Sequence, residues 1–154
     1  VIDVNNHFIP DRYLMREGAA LSSTEWIEAE TNSRMPAVYG PEPAYGWCYY
    51  FEKADLARQQ GDWTQVASLG DHAFSLGDHP NDPSERFVFI EGYAHTGDWK
   101  KAVNYSLDSH RVSPKYVDPM LCLLWHRIES QTTDSPAKAE ALAEIKTKVA
   151  CSGE

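Results

Sequence analysis

The chain has 154 residues, 42% of them hydrophobic and 24% charged, with a net charge of −9. A chain of this length suffices for one domain that buries most of its unfolded surface. The acidity argues against nucleic acid, whose phosphates select clustered Lys and Arg, and against an anionic membrane surface; the longest apolar run, Met120 to Trp125, falls far short of the ~18 residues of a membrane span.

Residues 1–46 differ from the rest. Pro10, Pro36, Pro41 and Pro43 punctuate them, and one helix is expected, opened by a capping box of Ser22 and Glu25 before Trp26, Ile27 and Ala29 and closed before Pro36. The stretch RMPAVYGPEPAYG then reads as an extended, ordered connector whose Val and Tyr side chains call for burial. No signal peptide is visible, and the start at Val1 rather than Met reads as a piece of a longer protein.

From Trp47 the pattern turns helical. Trp47, Tyr50, Phe51, Ala54 and Ala57 form one apolar stripe, broken at Gly61; Trp63, Val66, Ala67, Gly70, Ala73 and Phe74 form a second. Asp82, Pro83 and Glu85 suit the start of a third helix, with Phe87, Ile90, Tyr93 and Ala94 on its stripe. Trp99, Ala102, Val103, Ser106 and Leu107 carry a fourth, ending near Pro114. Asp118 and Pro119 open a fifth, with Leu121, Leu124, Trp125 and Ile128, and a sixth follows TTDSP with Leu142, Ile145 and Val149.

The pentapeptide SLGDH occurs at 68–72 and again at 75–79, seven residues on. On one helix the two Asp-His pairs would share a face, as a metal site needs, but the copies fall in different backbone states. The first lies inside the second helix, where Gly70 on the stripe lets a neighbour approach. The second is a stop, with Gly77 suited to a left-handed residue and Pro80 blocking continuation. The reading is therefore structural, and no metal is expected.

GDW occurs at 61–63 and 97–99, an offset of 36, and each copy sits between two helices. Gly61 and Gly97 permit the positive φ that ends a helix, Asp62 and Asp98 can cap the next, and Trp63 and Trp99 begin it. Adding 36 again reaches Thr133-Asp134-Ser135, the break between the fifth and sixth helices, where Asp134 stays and Pro136 enters the first turn. Three helix pairs over about 47–77, 83–113 and 118–150 are the signature of a helical repeat array.

FVFIEGYAHTGDWKKAVNYSLDSHRVSP resembles a tetratricopeptide repeat, with Tyr93, Gly97, Ala102 and Pro114 where that pattern has Tyr, Gly, Ala and a closing Pro. Ala54, Gly61 and Ala73 match in the first pair, the third pair hardly matches, and the period of 36 exceeds the family's value of about 34. The resemblance implies an all-α fold: three antiparallel helix pairs in a right-handed superhelix over 47–154, with the N-terminal helix and connector of 1–46 packed on it as one compact unit. A second resemblance, carried by residues 39–63, 85–99 and 121–128, is to the soluble C-terminal region of uncharacterised, glycosyltransferase-like multi-spanning membrane proteins of bacteria. It implies a domain tethered to a membrane by a segment preceding Val1.

In tetratricopeptide arrays the first helix of each pair lines a concave groove that takes peptide segments. That face here carries Phe51, Asp55, Arg58 and Gln59, then Phe87, Glu91 and His95, then Leu123, Arg127 and Gln131. Aromatic contact and charge-assisted bonds there could hold a protein or peptide partner; equally, Trp26, Tyr39 and Tyr45 of the N-terminal segment could fill the groove themselves. Asp55 and Arg58 read as a solvated ion pair.

Nothing points to catalysis or a cofactor. The six histidines form no HxxxH or HExxH; His95 and His110 read as surface or helix-end residues and His126 as a core residue beside Trp125. The three cysteines form no CxxC, their odd count argues against a disulfide framework, and Cys48 and Cys122 read as buried thiols; the compartment stays open. The expectation is a non-catalytic binding or scaffolding module, with a self-associating structural domain (a homodimer) or an enzyme domain of unstated reaction as alternatives.

Overall fold

The computed structural model describes residues 12–27, 36, 38, 40, 44–149 and 151. These residues form seven α-helices and no strand: α1 (Arg12–Ala20), α2 (Trp47–Gln59), α3 (Trp63–Ser75), α4 (Phe87–His95), α5 (Trp99–Val112), α6 (Pro114–Gln131) and α7 (Pro136–Lys148). A short 3-10 turn, Pro83–Arg86, leads into α4. The protein is all-α, and its helices pack in chain-consecutive partners: α2 with α3, α3 with α4, α4 with α5.

The two Gly-Asp-Trp corners have one geometry. Gly61 and Gly97 take φ of 76° and 83°, where a side chain is strained. The Asp62 N–H then reaches back to the Ala57 carbonyl at 2.9 Å, and the Asp98 N–H to the Tyr93 carbonyl at 2.8 Å. This six-to-one bond closes the outgoing helix. The same aspartates open the incoming helix, Asp62 accepting from the Gln65 N–H at 2.9 Å and Asp98 from the Lys101 N–H at 3.2 Å. One dipeptide thus satisfies backbone groups at two helix ends, which is why the connections are so short.

The helix α4 is central. It packs on α2, α3, α5 and α6, and every residue from Phe87 to Ala94 is buried. Burial on all sides accounts for its nearly continuous apolar sequence. The α3–α4 approach is close because each helix contributes a glycine to it. A Cβ on Gly70 would lie 2.7 Å from the Tyr93 hydroxyl, and one on Gly92 would lie 2.4 Å from Val66 Cγ1. The expected role of Gly70 is thereby met. The apolar stripes of α2 to α7 also lie where the spacing put them, with Ala54, Val66, Ala73, Ala102, Leu121, Leu124 and Ile128 fully buried in one continuous core.

Asp82 accepts from the Ser84 N–H while Glu85 accepts from the Asp82 N–H, the capping box that sets the start of the 3-10 turn. Several other expectations are corrected. The N-terminal helix lies at Arg12–Ala20, ahead of its expected start; Ser22 to Ile27 form turns, where the Glu25 N–H bonds Ser23 Oγ at 3.1 Å. Hydroxyl side chains there offer the backbone an alternative to helix. Residues 28–35 and Tyr39 lie outside the described residues. Val38 and Trp26 are exposed rather than packed, and Tyr45 is exposed on one side while stacking on Tyr49.

Gly77 does not adopt a left-handed conformation; α3 stops because Leu76 turns extended, at φ −74° and ψ 155°. The helix α6 begins at Pro114, four residues before the expected start, and carries Pro119 inside it. Pro114 occupies the first turn, where its missing N–H has no partner to lose. At the third corner Ser135, not Asp134, is the cap, accepting from the Lys138 N–H at 3.1 Å. His126 and Cys48 are exposed: each follows a buried tryptophan, and one residue turns a helix by about 100° toward solvent. Cys122, read as a free thiol, is joined to Cys151 in a disulfide.

Candidate functional site

The expected binding face divides into positions with different fates. On α2, Asp55 accepts from Arg58 Nε at 3.0 Å, Arg58 Nη2 at 2.8 Å and Gln59 Nε2 at 2.8 Å. Three of the four α2 candidates therefore form one network within a single helix. The Arg58 side chain is only 9% exposed, so the pair is less solvated than its spacing implied. Phe51 is half-buried against the core.

On α4, Phe87 is 1% exposed and belongs to the core, so it is not a surface anchor. The reason is that α4 is packed by α2, α3, α5 and α6 together. Glu91 is 2% exposed and meets Arg127 of α6 in a two-pronged pair, Nε to Oε1 at 2.6 Å and Nη2 to Oε2 at 2.9 Å. Glu91 and Arg127 are 36 residues apart, the offset of the Gly-Asp-Trp corners. A buried carboxylate demands such a partner, and the guanidinium fork supplies it in matching geometry.

His95 stacks flat on Trp63, with ring centroids 3.8 Å apart and planes 4° apart. Its Nε2 is buried without a hydrogen-bond partner. Burial, the largest influence, lowers its pKa; Glu91 opposes this and Arg127 adds to it. Trp99, at the next corner, is buried, and the residue 36 positions after His95 is Gln131, which has no ring to stack. Leu123, the α6 equivalent of Phe51 and Phe87, is 53% exposed.

Both Asp-His motifs are explained by packing. Asp71 of the first copy accepts from the Tyr93 hydroxyl at 2.8 Å and from Lys101 Nζ at 2.7 Å, and Lys101 also lies over the Tyr93 ring. Burial raises the Asp71 pKa, but these two donors outweigh it and the net shift is downward. Asp78 of the second copy accepts from the Trp47 N–H at 2.8 Å, capping α2 from the far end of α3. His72 stacks loosely on Tyr50. Among the described residues no group of three or more His, Cys, Asp or Glu could hold a metal ion.

Sequence reasoning missed Lys138. Its side chain is 4% exposed, yet Nζ donates to the carbonyls of Glu129 and Thr132, both at 2.7 Å, and to Asp134 at 2.9 Å. All three ammonium donors are used, and they satisfy the end of α6 where no glycine corner exists. A lysine in the first turn of a helix gives no sequence signal of this role.

Two open cavities of about 350 and 280 Å³ run along α5, away from the expected face; Arg111 lines both. Their charged side chains are already paired: His110 with Asp118 at 2.7 Å, Lys148 with Glu144 at 2.6 Å, and Arg111 with Asp108. No described helix is long and apolar enough to cross a membrane. No family model, curated protein or solved structure matches the chain.

Proposed function

We propose that this chain is a non-catalytic, tetratricopeptide-like module that binds a protein or peptide segment along the face shared by α2, α4 and α6. In this reading the helix pairs stack antiparallel in a superhelix, and the groove offers Phe51, Gln59, His95 and Leu123 around the Glu91–Arg127 pair. The observation that carries it is that pair: a bond spanning one repeat period and joining the first helices of successive pairs. The buried members, Phe87 and Glu91, serve the framework, and recognition falls to the half-buried and exposed ones. The further proposal that the module belongs to a larger membrane-anchored protein rests on the second resemblance alone.

Photo-crosslinking tests the binding face. A benzophenone amino acid placed at Gln59 or Leu123 should trap a partner polypeptide, and the same probe at Asn104 on α5 should not. Equal trapping from both faces, or none from Gln59 and Leu123, overturns the reading. One observation favours self-association instead: Leu21 and Trp26 are large apolar side chains left 91% and 88% exposed, which a second copy would cover. Crosslinks found only between copies of this chain would select that second reading.

A further inference from the structure

The third helix pair is held differently from the first two. The α2–α3 and α4–α5 pairs pack along their helices, whereas α7 packs on α5 and makes little close contact with α6. Beside an exposed ion pair of Lys146 with Glu129 at 3.6 Å, α6 is tied to α7 by a clip at each end. Lys138 bonds the last carbonyls of α6 at the corner. At the other end Cys122 of α6 is bonded to Cys151, just past α7, with Cα atoms 5.5 Å apart. The two cysteines are 29 positions apart, and the stretch between them contains the corner and all of α7.

We infer that this chain works in an oxidising compartment, where the Cys122–Cys151 disulfide is a covalent lock that substitutes for helix packing in the last pair. A disulfide of this kind persists outside the reducing cytosol and is reduced within it. The bond is structural rather than catalytic: the cysteines are widely separated in sequence, both are partly buried, and neither belongs to a CxxC. It forms by exchange with the disulfide of an oxidoreductase. Two thiols of this chain lose two protons and two electrons, and the incoming disulfide leaves as a dithiol. Closing a segment of this length restricts the unfolded chain substantially. Cys48, exposed on α2, takes no part and supplies an internal standard.

The experiment is thiol trapping. When protein is taken from its native cells directly into acid and alkylated with iodoacetamide, the label within residues 1–154 should fall on Cys48 alone, with Cys122 and Cys151 recovered as one linked peptide. Three labelled cysteines would overturn the compartment. In vitro, reduction of the folded chain should lower its Tm by about 10 °C and speed hydrogen exchange in α7 while leaving α2 to α4 protected. Cys48→Ser should show the same drop. An unchanged Tm and unchanged α7 exchange on reduction would overturn the lock.

Discussion

Asp78 shows how much one side chain can do from a position outside any helix. Its carboxyl is held below the usual carboxylate range, chiefly by the Trp47 N–H and then by the His79 N–H. A folded-state pKa below the unfolded value near ~3.9 means stability that is present above that pH and is lost as pH falls through the folded pKa. The urea midpoint should therefore drop more steeply below about pH 4 for the native chain than for Asp78→Asn, which keeps an oxygen acceptor but cannot titrate. Superimposable profiles would show that the carboxylate does not cap α2. The two Asp-His copies are thus alike in sequence and unlike in use, one joining α3 to Tyr93 and Lys101, the other joining the segment after α3 to the start of α2.

Between elements, the decisive contact is Glu91 with Arg127. Arg127→Met strands a buried carboxylate, and the expected loss is about 3–5 kcal/mol. Adding Glu91→Leu removes the stranded charge and should recover most of that loss, because both desolvation penalties vanish together. Chemical denaturation of both single variants and the double variant measures this; costs that simply add would show that the pair carries no coupling. The corners act at the same scale. Gly61 and Gly97 end helices whose successors are already capped by the adjoining aspartates, so each hairpin is specified within a few residues. Those corners, the apolar stripes and the Asp82 cap were legible because every bond involved is local, whereas the reciprocal bond from Glu85 was not read. The third corner was not, since its closing group is the side chain of Lys138 reaching backward from α7.

At the scale of the molecule, one core runs from Trp47 to Val149 without a break. The helix α4 touches four neighbours, so no helix pair can leave without exposing it. Unfolding should accordingly be a single transition. Trp47, Trp63, Trp99 and Trp125 lie on four different helices, and their fluorescence should change with the same urea midpoint as the far-UV circular dichroism. Separated midpoints would mean that the pairs unfold independently, as weakly coupled repeats do.

The amino-acid sequence alone determined the helical class, the apolar faces and the two Gly-Asp-Trp corners, because periodicity and capping depend on neighbours a few residues away. It also placed Glu91 and Arg127 at equivalent positions, though not in contact. Only the tertiary structure decided that Phe87 is core rather than surface, that Asp78 caps a helix 31 residues upstream, and that Cys122 has a partner. Such pairings depend on which helices meet in space, and that is set by the packing of the whole core rather than by any local preference of the chain.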